Sequence, residues 1–198
     1  MNPTTTKTDR AEEADLVERL KKGQKWAFDR LVSQYQDRLL KIAYGITLDH
    51  EDSLEVVQDV FVSVYKNIHT FRQDSSLYTW LRKITVNHCL NWKRKWKRRF
   101  KWQHQSLDQE DDRSLDLESD EAGPESLMSN KQVAGVLKQG LDKLPEKARA
   151  VLVLKEVEGL SYEEIGDALG INKGTVSSRI FYAREKLREY LKGVESEG

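Results

Sequence analysis

Residues 160–187 read LSYEEIGDALGINKGTVSSRIFYAREKL, and this stretch sets the architecture. Ser161 followed three positions later by Glu164 has the form of a capping box: the serine oxygen accepts a backbone N–H and the glutamate reaches back. Ile165, Leu169, Ile171, Val176 and Ile180 follow, with Gly170 permitting a left-handed turn and small Gly166 expected to let two helices cross closely. The spacing predicts a helix-turn-helix, although a plain helical hairpin can show it too. Val176, Ile180, Ala183 and Leu187 line one face of the last helix. At about 100° per residue, Ser177, Ser178, Phe181, Tyr182 and Glu185 point the other way. Phe181 there either packs on a neighbouring helix or meets thymine methyls in a major groove, with the two serines on base or phosphate oxygens. Lys173, Arg179, Arg184 and Lys155 are the candidate phosphate ligands. A helix so lightly charged is expected to bind duplex DNA weakly on its own.

Upstream, the charge is strongly segregated. The 198 residues carry 33 basic and 33 acidic side chains, so the formal net charge is zero. Yet Tyr78 to Trp102 hold nine cations and no acid, whereas Gln103 to Met128 hold nine acids against Arg113 alone. A flip this abrupt reads as a polyanion-binding element followed by a solvated tether. With its serines, Gly123-Pro124 and no sustained apolar period, the acidic stretch is expected to be a flexible linker over 103–128. It serves only as a linker, or it screens the basic segment until a partner displaces it; the residues leave both open.

The remaining chain reads as helix throughout. Leu16 and Leu20 mark a short one before Gly23. Phe28, Leu31, Val32, Tyr35, Leu39, Ile42 and Ile46 mark a long one, and Leu54, Val57, Phe61, Val64, Tyr65 and Ile68 the buried stripe of another. Asp49 or Asp52 can cap the latter, and Asp74, Ser75 or Ser76 the helix that follows. Val133, Val136, Leu137 and Leu141 form an amphipathic helix, and Pro145 suits the first turn of the next, running to about Glu158. The fold class is therefore all-α: two small helical domains, 10–102 and 129–193, joined by the acidic linker.

Projected as one helix, Trp80, Asn87, Asn91, Arg94 and Arg98 fall within a stripe about 60° wide. Tyr78, Leu81, Thr85, Cys89, Trp92 and Trp96 fall on the other side and are expected to be buried. Asparagine competes for backbone hydrogen bonds and suits a merely solvated helix poorly, but its amide can pair with a base edge while nearby arginines hold phosphates. Four of the five tryptophans lie between Trp80 and Trp102. They either fill core space or, interleaved with cations, offer a stacking platform for a single strand.

Phe71-Arg72-Gln73-Asp74-Ser75-Ser76-Leu77-Tyr78-Thr79-Trp80-Leu81, with Ile84, Asn87 and Asn91, resembles the extracytoplasmic-function (ECF) group of bacterial sigma-70 family sigma factors. Further blocks agree in order and spacing: Ala27-Phe28 with Tyr35 and Leu39-Leu40, Glu51-Asp52 leading to Val57-Gln58-Asp59-Val60-Phe61, Leu144-Pro145, and Leu160 to Ile165 through Gly174-Thr175-Val176. The resemblance spans about Glu13 to Lys192. It implies a dissociable promoter-specificity subunit with a sigma region 2-like first domain and a sigma region 4-like second. By that likeness, Glu55, Gln58 and Asp59 dock on the clamp helices of the largest RNA polymerase core subunit. The loop Phe71 to Ser76, with Arg72, captures a base flipped from the non-template strand of the minus-ten element, and Asn87 and Asn91 read that strand. The helix from Lys173 reads the minus-thirty-five element as duplex, with Lys155 at a phosphate. An anti-sigma factor, in some relatives membrane-bound, is a further implied partner. Ser177 and Tyr182 replace arginines of several relatives, so their preferred promoter sequence does not carry over.

Other classes fit less well. A free-standing DNA-binding regulator would use the helix-turn-helix but has no need of the stripe from Trp80 to Arg98. A nuclease would need clustered carboxylates for magnesium in the basic groove, and the acids avoid it. No phosphate-binding glycine loop, metal-ligand cluster or nucleophile–base pair is visible, and the lone Cys89 forms neither an internal disulfide nor a multi-cysteine zinc site. We therefore expect no enzyme activity, no cofactor and no metal. The N-terminal residues lack a hydrophobic segment and no apolar run approaches bilayer length, so a cytoplasmic protein is expected.

Overall fold

The computed structural model describes residues 7–103 and 124–197. Among these, all regular structure is helical: α1 (Lys7–Lys21), α2 (Lys25–Thr47), α3 (His50–Asn67), a 3-10 turn (Ile68–Thr70), α4 (Leu77–Gln103), α5 (Pro124–Asp142), α6 (Glu146–Glu156), α7 (Tyr162–Leu169) and α8 (Lys173–Glu197).

The first unit, α1 to α4, is built around α2, which buries Ala27, Leu31, Tyr35, Leu39, Ile42, Ala43 and Ile46 along one stripe. Leu48 ends that helix in the left-handed region (φ 62), its N–H returning to the Tyr44 carbonyl at 2.8 Å. The Asp49 carboxylate then accepts the Asp52 N–H at 2.8 Å and starts α3. Buried Thr47 and Ser53 hydroxyls meet at 2.8 Å across this corner. Ser76 starts α4 by accepting the Thr79 N–H at 3.1 Å. A second cap comes from far away in sequence: the Glu13 carboxylate of α1 accepts the Leu77 N–H at 2.9 Å, placing negative charge at the helix N-terminus. Helix α4 runs unbroken for 27 residues, about 40 Å, so the basic segment is a continuation of a core helix.

The second unit, α5 to α8, begins earlier than its sequence suggests. Helix α5 starts at Pro124, inside the stretch expected to be linker, because proline pre-sets the backbone angle of a first helical turn. The rest of that stretch, 104–123, lies outside the described residues. Ser161 and Glu164 form the capping box in full. Gly170 adopts φ 64 and makes the turn into α8. Gly166 is small for a different reason from the expected one. A Cβ there would lie 2.7 Å from the Ile171 carbonyl oxygen, so what needs room is the returning turn, and helix crossing is not the cause.

The two units share one buried cluster. It runs from Leu31, Leu39 and Ile42 through Leu77 and Leu81 into Val153, Leu154, Leu160, Ile165, Val176 and Ile180. A second, smaller cluster joins Leu144, Ala148 and Leu152 to Ala183. Helix α6 therefore buries every residue from Ala148 to Leu154, one side toward α8 and the other toward α2.

Candidate nucleic-acid interface

Helix α4 offers the first surface. Leu81, Thr85 and Cys89 are fully buried, and the Thr85 hydroxyl returns to the Leu81 carbonyl at 2.9 Å. Asn87 and Asn91 are exposed on the opposite side, and Trp80 is half-buried beside them. The amides are thus free to pair outward while the helix is held by its apolar side. Arg94, Arg98 and Trp96 continue along the same helix, but their side chains lie outside the described residues.

The loop before α4 divides by exposure. Arg72 to Ser76 are exposed, and Gln73 sits at φ 61, a strained value for a side-chain-bearing residue of the kind held at binding sites. Phe71 faces inward and is only 4% exposed, its ring centroid 5.1 Å from that of Trp80 and its carbonyl accepting Lys21 Nζ at 2.7 Å. It forms the floor of the loop, because the chain must turn from the 3-10 segment into α4 over an apolar pivot.

Arg82, one of the nine cations, also turns inward. Its guanidinium lies 3.5 Å from the Glu158 carboxylate, with the two side chains 7% and 9% exposed. The Tyr78 hydroxyl donates to the same carboxylate at 2.6 Å, and Arg38 stacks 3.6 Å over the Tyr78 ring. Burial first, then the hydrogen bond to Glu158, pushes the Tyr78 hydroxyl well above the usual phenol range, so it stays a donor. Burial pushes the Cys89 thiol up to about 12.

The second surface is on α8. Val176, Ile180 and Ala183 are buried, while Ser177, Ser178, Phe181 and Tyr182 are exposed, Phe181 by 69%. Among the described residues no neighbouring helix covers Phe181, which leaves its ring available to a groove. Asn172 caps this helix, its Oδ1 accepting the Thr175 N–H at 2.8 Å. The cations around it are engaged: Lys173 with Glu163, and Arg184 with Glu156 at 2.6 Å. Both pairs are solvent-exposed, so a phosphate can displace the acid at little cost. Lys155 differs more from expectation. Its Nζ donates to the Leu160 carbonyl at 3.1 Å beneath the Tyr162 ring, closing the α6–α7 loop and leaving two donors for a phosphate.

The third surface is on α3. Glu55, Gln58, Asp59, Val62 and Lys66 are exposed along one face. The buried stripe is Ser53, Val56, Val57, Val60, Phe61 and Val64. Leu54 and Tyr65, expected inside it, are exposed at its margins, Tyr65 held only edge-on by Phe28 at 5.5 Å. The stripe is turned by about 60° from the one read from sequence, toward Ser53 and Val56, which leaves the acidic face partly apolar. Among the described residues, no group of three or more His, Cys, Asp or Glu side chains gathers as a metal site would.

Residues 31–99 match the family described as sigma-70 region 2, and residues 129–187 match sigma-70, region 4. The RNA polymerase sigma-H factor of Pseudomonas aeruginosa is 36% identical over 185 residues, covering 91% of this chain and 94% of that one. The ECF RNA polymerase sigma-E factor of Escherichia coli K12 is 35% identical over 180 residues, covering 87% and 90%. Among solved structures, the sigma factor RpoE of Bartonella quintana, crystallised with the anti-sigma factor NepR, superposes with a TM-score of 0.63 at 24% identity, covering 83% of this chain and 96% of that one. That last likeness is one of fold.

Proposed function

The chain belongs to the ECF group of the sigma-70 family, and from that premise we propose how its three surfaces divide the work of a promoter-directing sigma factor. The protein directs RNA polymerase to promoters; the assignment of surfaces to steps is our reading. The α3 face with Glu55, Gln58 and Asp59 docks on the core enzyme through its clamp helices, its acids steering the approach and Leu54, Val62 and Tyr65 supplying apolar contact once docked. The loop Arg72 to Ser76, floored by Phe71, receives a base flipped out of the minus-ten element. Asn87 and Asn91 read that separated strand, and Trp80 offers an aromatic face nearby. Flipping costs a few kcal/mol, which stacking and core contacts must offset. The α8 face of Ser177, Ser178, Phe181 and Tyr182 reads the minus-thirty-five duplex, with Lys155 and Lys173 on phosphates.

The observation that carries this reading is the two-sidedness of α4. Asn87 and Asn91 are open to solvent while Leu81, Thr85 and Cys89, on the opposite side, are fully buried. A helix merely solvated on that side has no use for paired amides at one-turn spacing.

Such a protein initiates transcription without catalysing a reaction itself, and it works in the cytoplasm. No helix among the described residues is long and apolar enough to cross a membrane. An anti-sigma protein is a further partner, a reading supported by the complex in which the Bartonella quintana relative of its fold was crystallised. The test is transcription in vitro by bacterial core polymerase with and without the purified chain, with the transcripts sequenced. New start sites sharing upstream elements are expected. Absence of chain-dependent starts, or no retention of core in a pull-down, rejects the reading.

A further inference from the structure

Helix α1 lies ahead of residues 31–99, the part of the chain matched to sigma-70 region 2, and supplies no residue to the three surfaces assigned above. Its inward face reads Glu13, Leu16, Val17, Leu20 and Lys21, the i, i+3, i+4, i+7, i+8 spacing of a single helical stripe. Leu16, Val17 and Leu20 are buried in the core, so the stripe is held in one orientation. Two contacts with α2 help to seat it: the Arg19 guanidinium lies 5.2 Å from the Trp26 ring centroid, and Glu12 pairs with Arg30 at 3.4 Å. A charge stands at each end of this stripe, where an apolar residue would have continued the packing.

Both charges go to backbone groups of one loop. Lys21 Nζ donates to the Phe71 carbonyl at 2.7 Å, and the Glu13 carboxylate accepts the Leu77 N–H at 2.9 Å. Phe71 and Leu77 are the buried residues that bound the exposed run Arg72 to Ser76. Neither contact uses a side chain of the loop, so what they hold is its two ends. Glu13 and Lys21 are eight residues apart, about 12 Å of helix, whereas the six steps from Phe71 to Leu77 reach about 20 Å when extended. Anchors so spaced leave slack, which the loop takes up as a bend over Gln73 to Ser75, with Gln73 at its left-handed φ of 61.

We propose that α1 is a brace for the base-capturing loop, with Glu13 and Lys21 as positioning residues that hold Arg72 to Ser76 in the receiving shape before the separated strand arrives. The proposal rests on the assignment of that loop to a flipped base. A loop already ordered gives up less freedom on binding, and its contacts to the correct base are realised in full. A loop with loose ends adapts to any base. The brace therefore sets base preference at one position and leaves docking through α3 untouched.

Four variants of the full chain test it. Glu13→Ala and Lys21→Met each remove one anchor, whereas Glu13→Gln keeps an acceptor and Lys21→Arg a donor. Each is combined with core polymerase and given a promoter library randomised across the minus-ten and minus-thirty-five elements. Loss of either anchor is expected to cut preference about tenfold at the position that Arg72→Ala also relaxes, the scale of one charged hydrogen bond. Preference at the minus-thirty-five element and core binding stay unchanged, and the melting temperature falls by about 2–4 °C at most, the scale of one lost helix cap. Amide exchange over 72–77 quickens, and the two conservative variants restore the preference. Transcription lowered equally on every promoter, with preference intact, would mean that α1 serves stability alone and overturns the proposal. So does a Lys21→Met chain of intact preference whose promoter binding loses one phosphate contact's share of its salt dependence, which makes Lys21 a phosphate ligand. If Arg72→Ala leaves every minus-ten preference intact, the assignment of the loop falls instead, and exchange over 72–77 still decides whether α1 orders it.

Discussion

The rings of Phe71 and Trp80 lie 5.1 Å apart and tilted by 35°, joining the loop ahead of α4 to the first turn of that helix. The pair makes the loop's shape depend on a buried side chain that no nucleic acid can touch. Phe71→Ala is therefore expected to destabilise the protein by about 3–5 kcal/mol, the range for emptying a buried phenylalanine site. It should also impair minus-ten reading with core binding retained. Arg72→Ala, on the exposed part of the loop, is expected to leave stability unchanged while weakening promoter opening. Denaturant unfolding of both variants checks this; equal stability of Phe71→Ala and the unmodified chain would contradict a floor role.

Asn87→Ala and Asn91→Ala remove exposed amides from a helix and should cost no stability, since alanine is the better helix former. Each is expected to relax discrimination at one minus-ten position by about 1–3 kcal/mol, the scale of a good bidentate base contact. Promoter-library transcription reads this out. Loss of core binding instead would remove the residues from strand reading.

What the sequence made legible, and what it hid, follows from the range of the interactions. The Ser161–Glu164 box, the Gly170 turn and the outward Asn87 and Asn91 depend on neighbours within a turn or two, so spacing alone discloses them. Glu158 and Arg82 are 76 positions apart, and their pairing leaves no periodic trace; Arg82 looked like one more DNA-binding cation. The cap that Glu13 places on α4 spans 64 positions and was hidden for the same reason. Leu54 and Tyr65 were misplaced because the buried stripe is turned toward Ser53, Val56 and Val60, and a buried serine leaves no trace in an apolar pattern. One clue to the joining of the units was present: Ala148 to Leu154 is apolar apart from Arg149, too much for a helix covered on one side.

On α3, Glu55 and Asp59 stand one turn apart and are exposed beside Val62. Glu55→Lys with Asp59→Lys is expected to weaken core binding strongly, to do so most at low salt, and to leave the melting temperature within a degree or two. Surface plasmon resonance against core polymerase at two ionic strengths measures it. Unchanged binding would move the docking site off this helix.

Cys89 is fully buried, and burial pushes its thiol up to about 12, so the native form holds the proton across the physiological range. The folded pKa is raised above the unfolded one. The linked stability is therefore fully present below the unfolded value, near 8.5, and is lost as pH climbs from there toward the folded value. Alkylation by iodoacetamide at pH 8 should be negligible in the folded chain and fast in denaturant. Rapid labelling under native conditions would mean that α4 opens locally between Asn87 and Asn91.

Gly166 carries the last prediction. Its hydrogen-bonded carbonyl receives the Ile171 N–H at 3.0 Å, and a Cβ on it would press 2.7 Å from the Ile171 carbonyl oxygen. That oxygen belongs to backbone in the turn between α7 and α8 and cannot swing aside as a side-chain tip can. Gly166→Ala must therefore rotate α8 against α7 or strain the turn, at about 1–3 kcal/mol, the usual scale of overpacking. Ser161→Ala, which removes only the cap of α7, should cost about 1 kcal/mol without re-aiming α8. The two variants thus separate stability from geometry. Gly166→Ala is expected to lose minus-thirty-five-dependent transcription while keeping core binding, and Ser161→Ala to keep both at moderate temperature. Hydrogen exchange should show the loss of protection confined to α7 and the first turns of α8, with α2 and α3 unchanged. Full minus-thirty-five dependence in Gly166→Ala would show that the angle between these helices does not govern duplex reading.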